Sequence, residues 1–142
     1  MERNWKEIID GYESYDLESL QEESIDLLEK LTDYFMGWLP KEKACFLGLM
    51  CVVYFTNADN FLDGDESCLI GYLTNYSTYK YPMQVFNEYR RSDLEYQIEE
   101  IMSEAPCSIV ETFIALGCVT CAADGFTKAA EHKLIKHWIN KI

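Results

Sequence analysis

Apolar residues recur at steps of three and four along much of the chain, which is the spacing of one face of an α-helix. The clearest row lies before Pro40 and consists of Leu17, Leu20, Ser24, Leu28, Leu31, Phe35 and Trp38. This row predicts an amphipathic helix with these side chains toward a core and with Pro40 at its end. A shorter row, from Trp5 to Tyr12, predicts a helix at the N-terminal end.

Two later segments, 41–57 and 107–123, are apolar nearly all round, as is typical of helices at the centre of a fold. Shorter patterns predict a helix over 65–72 and another over 128–141, with an ordered loop over 72–82. One more helix, ending before Pro106, is predicted by Met83, Phe86, Leu94, Ile98, Ile101 and Met102. No strand-like alternation of any length occurs, so we expect an all-α fold of about six helices in a single bundle-like domain.

The sequence around one helix–helix corner occurs twice, 65 positions apart. The first copy is Ala58-Asp59-Asn60-Phe61, followed by Glu66 and Leu69-Ile70. The second copy is Ala123-Asp124-Gly125-Phe126, followed by Glu131 and Leu134-Ile135. We therefore expect residues 41–142 to form a duplicated core about a pseudo-twofold axis, with residues 1–40 as an acidic helical extension.

Helix capping explains part of each corner. Asp63 and Glu66 have the spacing of a capping box, and Glu131 would lie in a first helical turn, where a carboxylate is favoured. Asp59 and Asp124, in contrast, would follow the end of a helix, where the helix dipole disfavours negative charge. Either a hydrogen bond to the next helix or a bound cation would offset that repulsion.

The duplicated Ala-Asp-[Gly/Asn]-Phe…Glu pattern resembles the TerB-like (tellurite-resistance B) family over roughly residues 42–142. The resemblance implies a non-enzymatic, stress-response type of protein-binding domain with an internal twofold repeat. It also implies acidic corners that bind a divalent cation, Ca²⁺ or Mg²⁺. The implied metal-binding residues are Asp59, Glu66, Asp124 and Glu131, with Asp63 as a further carboxylate of the first corner.

The first corner departs from the family pattern, because Asn60 replaces the usual glycine and the segment 63–65 adds two aspartates and a glycine. An EF-hand calcium loop does not fit this segment. With Gly64 at the sixth position, the third and twelfth positions are Phe61 and Ile70, whose side chains have no oxygen ligand. A partly hydrated site with two or three carboxylates remains the alternative to a purely structural corner.

The net charge of −13 predicts repulsion of nucleic acid and attraction of a basic protein partner. Residues 10–29 contain eight acids and no lysine or arginine, and tyrosines cluster over 72–81. The candidate partner-binding residues are Glu13, Asp16, Glu18, Glu22, Glu23, Asp26, Tyr76, Tyr79 and Tyr81. The alternative function is therefore a small acidic immunity or inhibitor protein that neutralises a basic partner such as a nuclease toxin. Each of these two features also has a structural alternative. The charge would serve solubility alone, and the tyrosine rings would cover the core.

The cysteines indicate a reducing, cytoplasmic setting, because Cys45, Cys51, Cys118 and Cys121 lie within apolar helical patterns. Cys118 and Cys121 form a lone C-x-x-C pair, which we interpret as core packing rather than a zinc or redox site. No export leader is recognisable and the longest apolar run is too short for a bilayer, so no membrane insertion is expected. Motifs for acyl transfer, phosphate binding, zinc proteolysis and dinucleotide binding are missing, so we expect no enzyme activity.

Overall fold

The computed structural model of the chain describes residues 5–56, 94–123 and 129–141. Helices account for nearly all of this part, and no strand occurs within it. The helices are α1 (Trp5–Glu13), α2 (Leu17–Phe35), α3 (Lys41–Thr56), α4 (Leu94–Glu104), α5 (Cys107–Ala123) and α6 (Ala129–Ile139). The predicted all-α fold is confirmed. The predicted helix over 65–72 and loop over 72–82 lie outside the described residues.

Proline marks the start of both apolar helices. The carbonyl oxygen of Pro40 accepts a hydrogen bond from the backbone N–H of Ala44 at 2.9 Å, and that of Pro106 accepts one from Val110 at 3.1 Å. Each proline therefore supplies the first acceptor of a helix without presenting an unsatisfied N–H of its own. The predicted starts at 41 and 107 agree with the observed starts of α3 and α5.

Helix α5 lies at the centre of the described fold and packs against α1, α2, α3 and α6. Its side chains from Phe113 to Thr120 are buried, apart from Gly117, which has no side chain. Helix α3 is buried from Leu47 to Phe55 and packs against α5 as well as α2, α4 and α6. The two apolar helices therefore pack against each other at the centre of the described fold. The corners that define the internal repeat are not among the described residues, so the repeat stays a prediction.

Two glycines allow helices to approach each other closely. A Cβ atom added to Gly117 of α5 would lie 2.5 Å from Cε1 of Phe55, so the Phe55 ring rests directly on the α5 backbone. A Cβ atom on Gly48 of α3 would lie 2.9 Å from both Leu28 Cδ1 and Thr32 Oγ1 of α2. Both distances are shorter than carbon–carbon or carbon–oxygen contacts in a packed core. These glycines thus set the distances of α3 from α5 and from α2.

Trp38 corrects the prediction for the end of α2. The helix ends at Phe35, where the N–H of Met36 still donates to the Thr32 carbonyl oxygen. Trp38 then lies in the turn before Pro40, 53% exposed, with its ring edge-on to Tyr34 at 5.2 Å between centroids. It is therefore not a core residue. Trp38 follows Phe35 by three residues, which is a helical spacing. The helix has already ended at Phe35, however, and Trp38 lies in the turn that follows.

None of the helices in the described part of the chain has both the length and the apolar character needed to cross a membrane.

Candidate protein-binding surface

Helix α2 separates an apolar face from an acidic one. Its inward side chains are buried and consist of Leu20, Ser24, Leu27, Leu28, Leu31, Thr32 and Phe35. The opposite face is exposed and consists of Glu18, Glu22, Asp26, Glu29 and Asp33. Steps of four, four, three and four residues place these five carboxylates in one row, which we call the acidic ridge. At 1.5 Å per residue the acidic ridge is about 22 Å long.

Asp16 fixes the start of α2. Its backbone is extended, and its Oδ1 accepts a hydrogen bond from the N–H of Ser19 at 2.8 Å. Hydrogen bonding from the side chain and the backbone N–H of Ser19 lowers the pKa of the Asp16 carboxyl below its ordinary value. Asp16 was predicted from the sequence as a partner-binding residue. In the structure its carboxylate serves as the N-cap of the helix that carries the acidic ridge.

Glu23 also has a partner inside the chain. Its Oε1 accepts a hydrogen bond from the hydroxyl of Tyr12 on α1 at 3.1 Å, and both side chains are half-buried. Burial and the neighbouring Glu23 charge raise the pKa of Tyr12 well above its ordinary value of 10.0. The pair ties α1 to the flank of α2, so Glu23 belongs to the helix interface rather than to the acidic ridge.

The remaining predicted partner-binding residues fall into two groups, those on the acidic ridge and those outside the described set. Glu18, Glu22 and Asp26 are exposed and lie on the acidic ridge. The side chain of Glu13 is not among those described, and neither are the residues of the tyrosine loop, Tyr76, Tyr79 and Tyr81. Glu29 and Asp33 complete the acidic ridge but were not among the predicted partner-binding residues. The available signal was the continuation of the same three- and four-residue steps.

A second polar arrangement lies inside the aromatic core. The indole N–H of Trp138 on α6 donates a hydrogen bond to the Tyr54 hydroxyl oxygen at 3.0 Å, and that hydroxyl donates to Glu99 Oε1 on α4 at 3.1 Å. The rings of Phe55 and Phe113 lie 4.8 Å apart beside Tyr54. Burial, opposed by the Trp138 hydrogen bond and reinforced by the Glu99 charge, raises the pKa of Tyr54. Tyr54 is 2% exposed, so its protonated hydroxyl joins three helices rather than facing a substrate.

The described cysteines are free thiols, namely Cys45, Cys51, Cys107 and Cys118. Cys51 and Cys118 are buried, and burial raises the pKa of Cys118 to about 12 and that of Cys51 higher still. A thiol that does not ionise near neutral pH is a poor nucleophile and metal ligand. The core-packing interpretation is confirmed for Cys118. The side chain of Cys121 is outside the described set.

The predicted metal-binding residues Asp59, Asp63, Glu66 and Asp124 lie outside the described residues, as does the side chain of Glu131. In the part of the chain that is described, no group of three or more His, Cys, Asp or Glu side chains is arranged to hold a metal ion. His137 is exposed, and its ring lies edge-on to Trp138 at 5.5 Å between centroids. The two acidic corners therefore remain the predicted cation sites.

Comparison with known proteins gives no match to a family model, to a curated protein or to a solved structure.

Proposed function

We propose that this chain is a non-enzymatic helical protein-binding domain that binds a basic partner protein through the acidic ridge of α2. One observation carries the proposal. Five carboxylates lie at consecutive turns on the exposed face of a helix whose opposite face is buried in the core. A surface held in this way is preorganised, so little conformational freedom of the backbone is lost when a partner binds.

The alignment of the charges supports a partner more than it supports solubility alone. Carboxylates four residues apart on a helix repel each other, as in the pairs Glu18–Glu22 and Glu22–Asp26, and each pair destabilises the helix by about 0.2–0.5 kcal/mol. Lys30 is the single cation on α2. The same net charge dispersed over the surface would give equal solubility without this repulsion. Cationic side chains of a partner would remove it, and the net charge of −13 would speed the encounter.

Charge reversal on the acidic ridge tests the proposal. The double variant Glu22→Lys with Asp26→Lys and the control Asp10→Lys with Glu42→Lys both change exposed acids and bring the net charge from −13 to −9. We expect crosslinking in cells to trap a basic protein on the wild-type chain and on the control, and to lose it with the ridge variant. The association rate of the isolated pair should fall steeply as ionic strength rises. Equal capture by the two double variants would exclude the acidic ridge as the binding surface.

Two biological roles use such a partner. In the first, the chain is a stress-response module of the TerB-like type in a reducing cytoplasm, with Ca²⁺ or Mg²⁺ at the two Asp corners. The support is the duplicated corner sequence, together with the free thiols. Melting with millimolar Ca²⁺ or Mg²⁺ tests it, because a cation that binds only the folded state raises the melting temperature. The rise should disappear in the double variant Asp59→Ala with Asp124→Ala.

In the second role, the chain is an immunity or inhibitor protein that blocks a basic partner such as a nuclease toxin. The acidic ridge supports this role, because a row of carboxylates can occupy a cationic substrate groove. The decisive measurement is the activity of the captured partner. Inhibition that the ridge variant relieves, with no metal-dependent change in melting, assigns the inhibitor role. A partner whose activity is unaffected assigns the first role instead.

A further inference from the structure

Helix α4 presents an exposed aromatic ring within an acidic face. Tyr96 is 69% exposed, the largest exposure of any large hydrophobic side chain described. One and two helical turns further on lie Glu100 and Glu104, both exposed. The opposite face carries Ile98 and Met102, which are buried. Helix α4 has no lysine or arginine between Leu94 and Glu104.

Contacts on the core-facing side of α4 fix its position. Ile98 and Met102 pack into the core, and Glu99 accepts the hydrogen bond from the Tyr54 hydroxyl at 3.1 Å. These contacts hold the helix while leaving its outer face uncovered. Among the described residues the Tyr96 ring makes no aromatic stack. A tyrosine offers a large, rigid contact area at low entropy cost, which suits it to a binding surface.

We infer that the outer face of α4 binds an arginine side chain of a basic partner protein, with the guanidinium on the Tyr96 ring and paired with Glu100. This inference rests on the proposed basic partner but uses a helix other than the one that carries the acidic ridge. The charge of the α4 face selects a cation, and the exposed ring selects a planar one. Guanidinium can stack on an aromatic face and bind a carboxylate through two parallel N–H groups, which an ammonium group cannot.

A second copy of this chain fits the face less well. The exposed cations on α6 are both lysines, Lys133 and Lys136. The three arginines of the chain, Arg3, Arg90 and Arg91, lie outside the described residues. Two copies that each carry a net charge of −13 repel each other. An arginine from a different, basic protein satisfies both the charge and the shape of the face.

The test uses the isotopically labelled full chain and two blocked, alanine-based helical peptides, one with arginine and one with lysine at every fourth position. Chemical shifts of Tyr96 and Glu100 report binding to α4, and those of Glu22 and Asp26 report binding to the acidic ridge. We expect the arginine peptide to bind α4 more tightly than the lysine peptide. Tyr96→Ala should weaken the arginine peptide at α4 by about two- to fivefold, the range for an exposed cation–π contact.

Tyr96→Phe is the matched control, because it keeps the ring and removes the hydroxyl, and it should retain arginine binding. Equal affinity of the two peptides at α4, or no effect of Tyr96→Ala, would overturn the inference. Self-association of the free chain that Tyr96→Ala abolishes would also overturn the inference, because the α4 face would then bind a second copy of the chain. Shifts confined to the acidic ridge leave the proposed function standing without this inference. Shifts confined to α4 exclude the acidic ridge as the binding surface. The absence of shifts at both surfaces contradicts both proposals.

Discussion

The indole N–H of Trp138 donates a hydrogen bond to the hydroxyl oxygen of Tyr54, 84 positions earlier in the chain, at 3.0 Å. Because the same hydroxyl donates to Glu99, one oxygen atom connects α3, α4 and α6. Both aromatic side chains are at most 2% exposed. Water therefore cannot replace a lost partner easily, and the hydroxyl is a sensitive point of the fold.

Replacing Tyr54 with phenylalanine should lower the free energy of unfolding by about 1–3 kcal/mol, because the buried Trp138 N–H loses its acceptor. Urea unfolding measures the change. Tyr12→Phe is the control, since it removes one hydrogen bond, to Glu23, at a half-buried position. We expect a smaller loss there, about 0.5–1.5 kcal/mol. Equal losses at the two positions would show that burial of the Tyr54 hydroxyl contributes nothing extra.

Stability should fall in alkaline solution. Burial raises the pKa of Cys51 and Cys118 above 9.0, and that of Tyr12 and Tyr54 above 10.0. The unfolded chain therefore binds fewer protons than the folded chain once the pH exceeds these ordinary values. Each such group lowers the free energy of unfolding by up to about 1.4 kcal/mol per pH unit.

Urea unfolding repeated from neutral pH to above pH 10 measures this slope. Tyr54→Phe should make the slope above pH 10 shallower, because one of the perturbed groups is removed. A slope that is the same in wild type and Tyr54→Phe would contradict the assignment.

Gly117→Ala should destabilise the fold by about 1–3 kcal/mol, the usual effect of extra volume in a packed core. The new methyl group would lie 2.5 Å from the Phe55 ring, so either the ring or the helix must move. Gly11→Ala on α1 is the control, since nothing lies within 4 Å of the added Cβ. There the higher helix propensity of alanine should stabilise by about 0.4–1 kcal/mol. Thermal unfolding would show opposite signs for the two substitutions.

Thr32→Val should be neutral or stabilising by about 1 kcal/mol, because it removes a buried hydroxyl that lacks a partner. Among the described residues, Thr32 Oγ1 is the only buried side-chain oxygen or nitrogen without a hydrogen bond. Thr120→Val is the control, since the Thr120 hydroxyl donates to the Leu116 carbonyl oxygen at 2.8 Å. The control should lose stability. A larger loss at Thr32 than at Thr120 would contradict the role of the unpaired hydroxyl.

Asp16→Ala should lower the melting temperature near neutral pH, because α2 loses its N-cap. Asp16→Asn should restore most of the loss, since asparagine also caps helices and removes only the charge. The pKa of Asp16 is lowered in the folded state, so its contribution is present above the ordinary value of 3.8 and disappears as the pH falls further. The asparagine variant also distinguishes a capping role of Asp16 from a partner-binding role. Unchanged partner affinity in this variant would show that Asp16 acts only as the N-cap of α2.

Helix starts were predictable where a proline precedes them, as at α3 and α5. The segment 107–123 matches α5 throughout, because Pro106 excludes an earlier start and the apolar run in the sequence continues to the end of the helix. The end of α2 was not predictable from spacing, since Trp38 follows Phe35 at a helical step but belongs to a turn. Three-residue steps are compatible with a helix and with the tight turn that ends one.

The acidic ridge was visible in the sequence as the complement of the apolar row, whereas the roles of individual acids were not. Glu23 looks like its neighbours in the sequence, and only the packing of α1 beside it provides Tyr12 as a partner. Tyr54 and Trp138 likewise meet because α3 and α6 pack together. Pairings between distant segments depend on tertiary contacts, which local spacing does not encode.

Helix α5 packs against α1, α2, α3 and α6, yet it begins only at residue 107. During synthesis, three helices therefore leave the ribosome before the surface that covers them has been made. The Phe55 ring, which rests on the α5 backbone at Gly117, lacks that cover on the nascent chain through this interval, when exposed apolar side chains are targets for chaperones and for aggregation. Folding to completion has to wait until translation has passed α5.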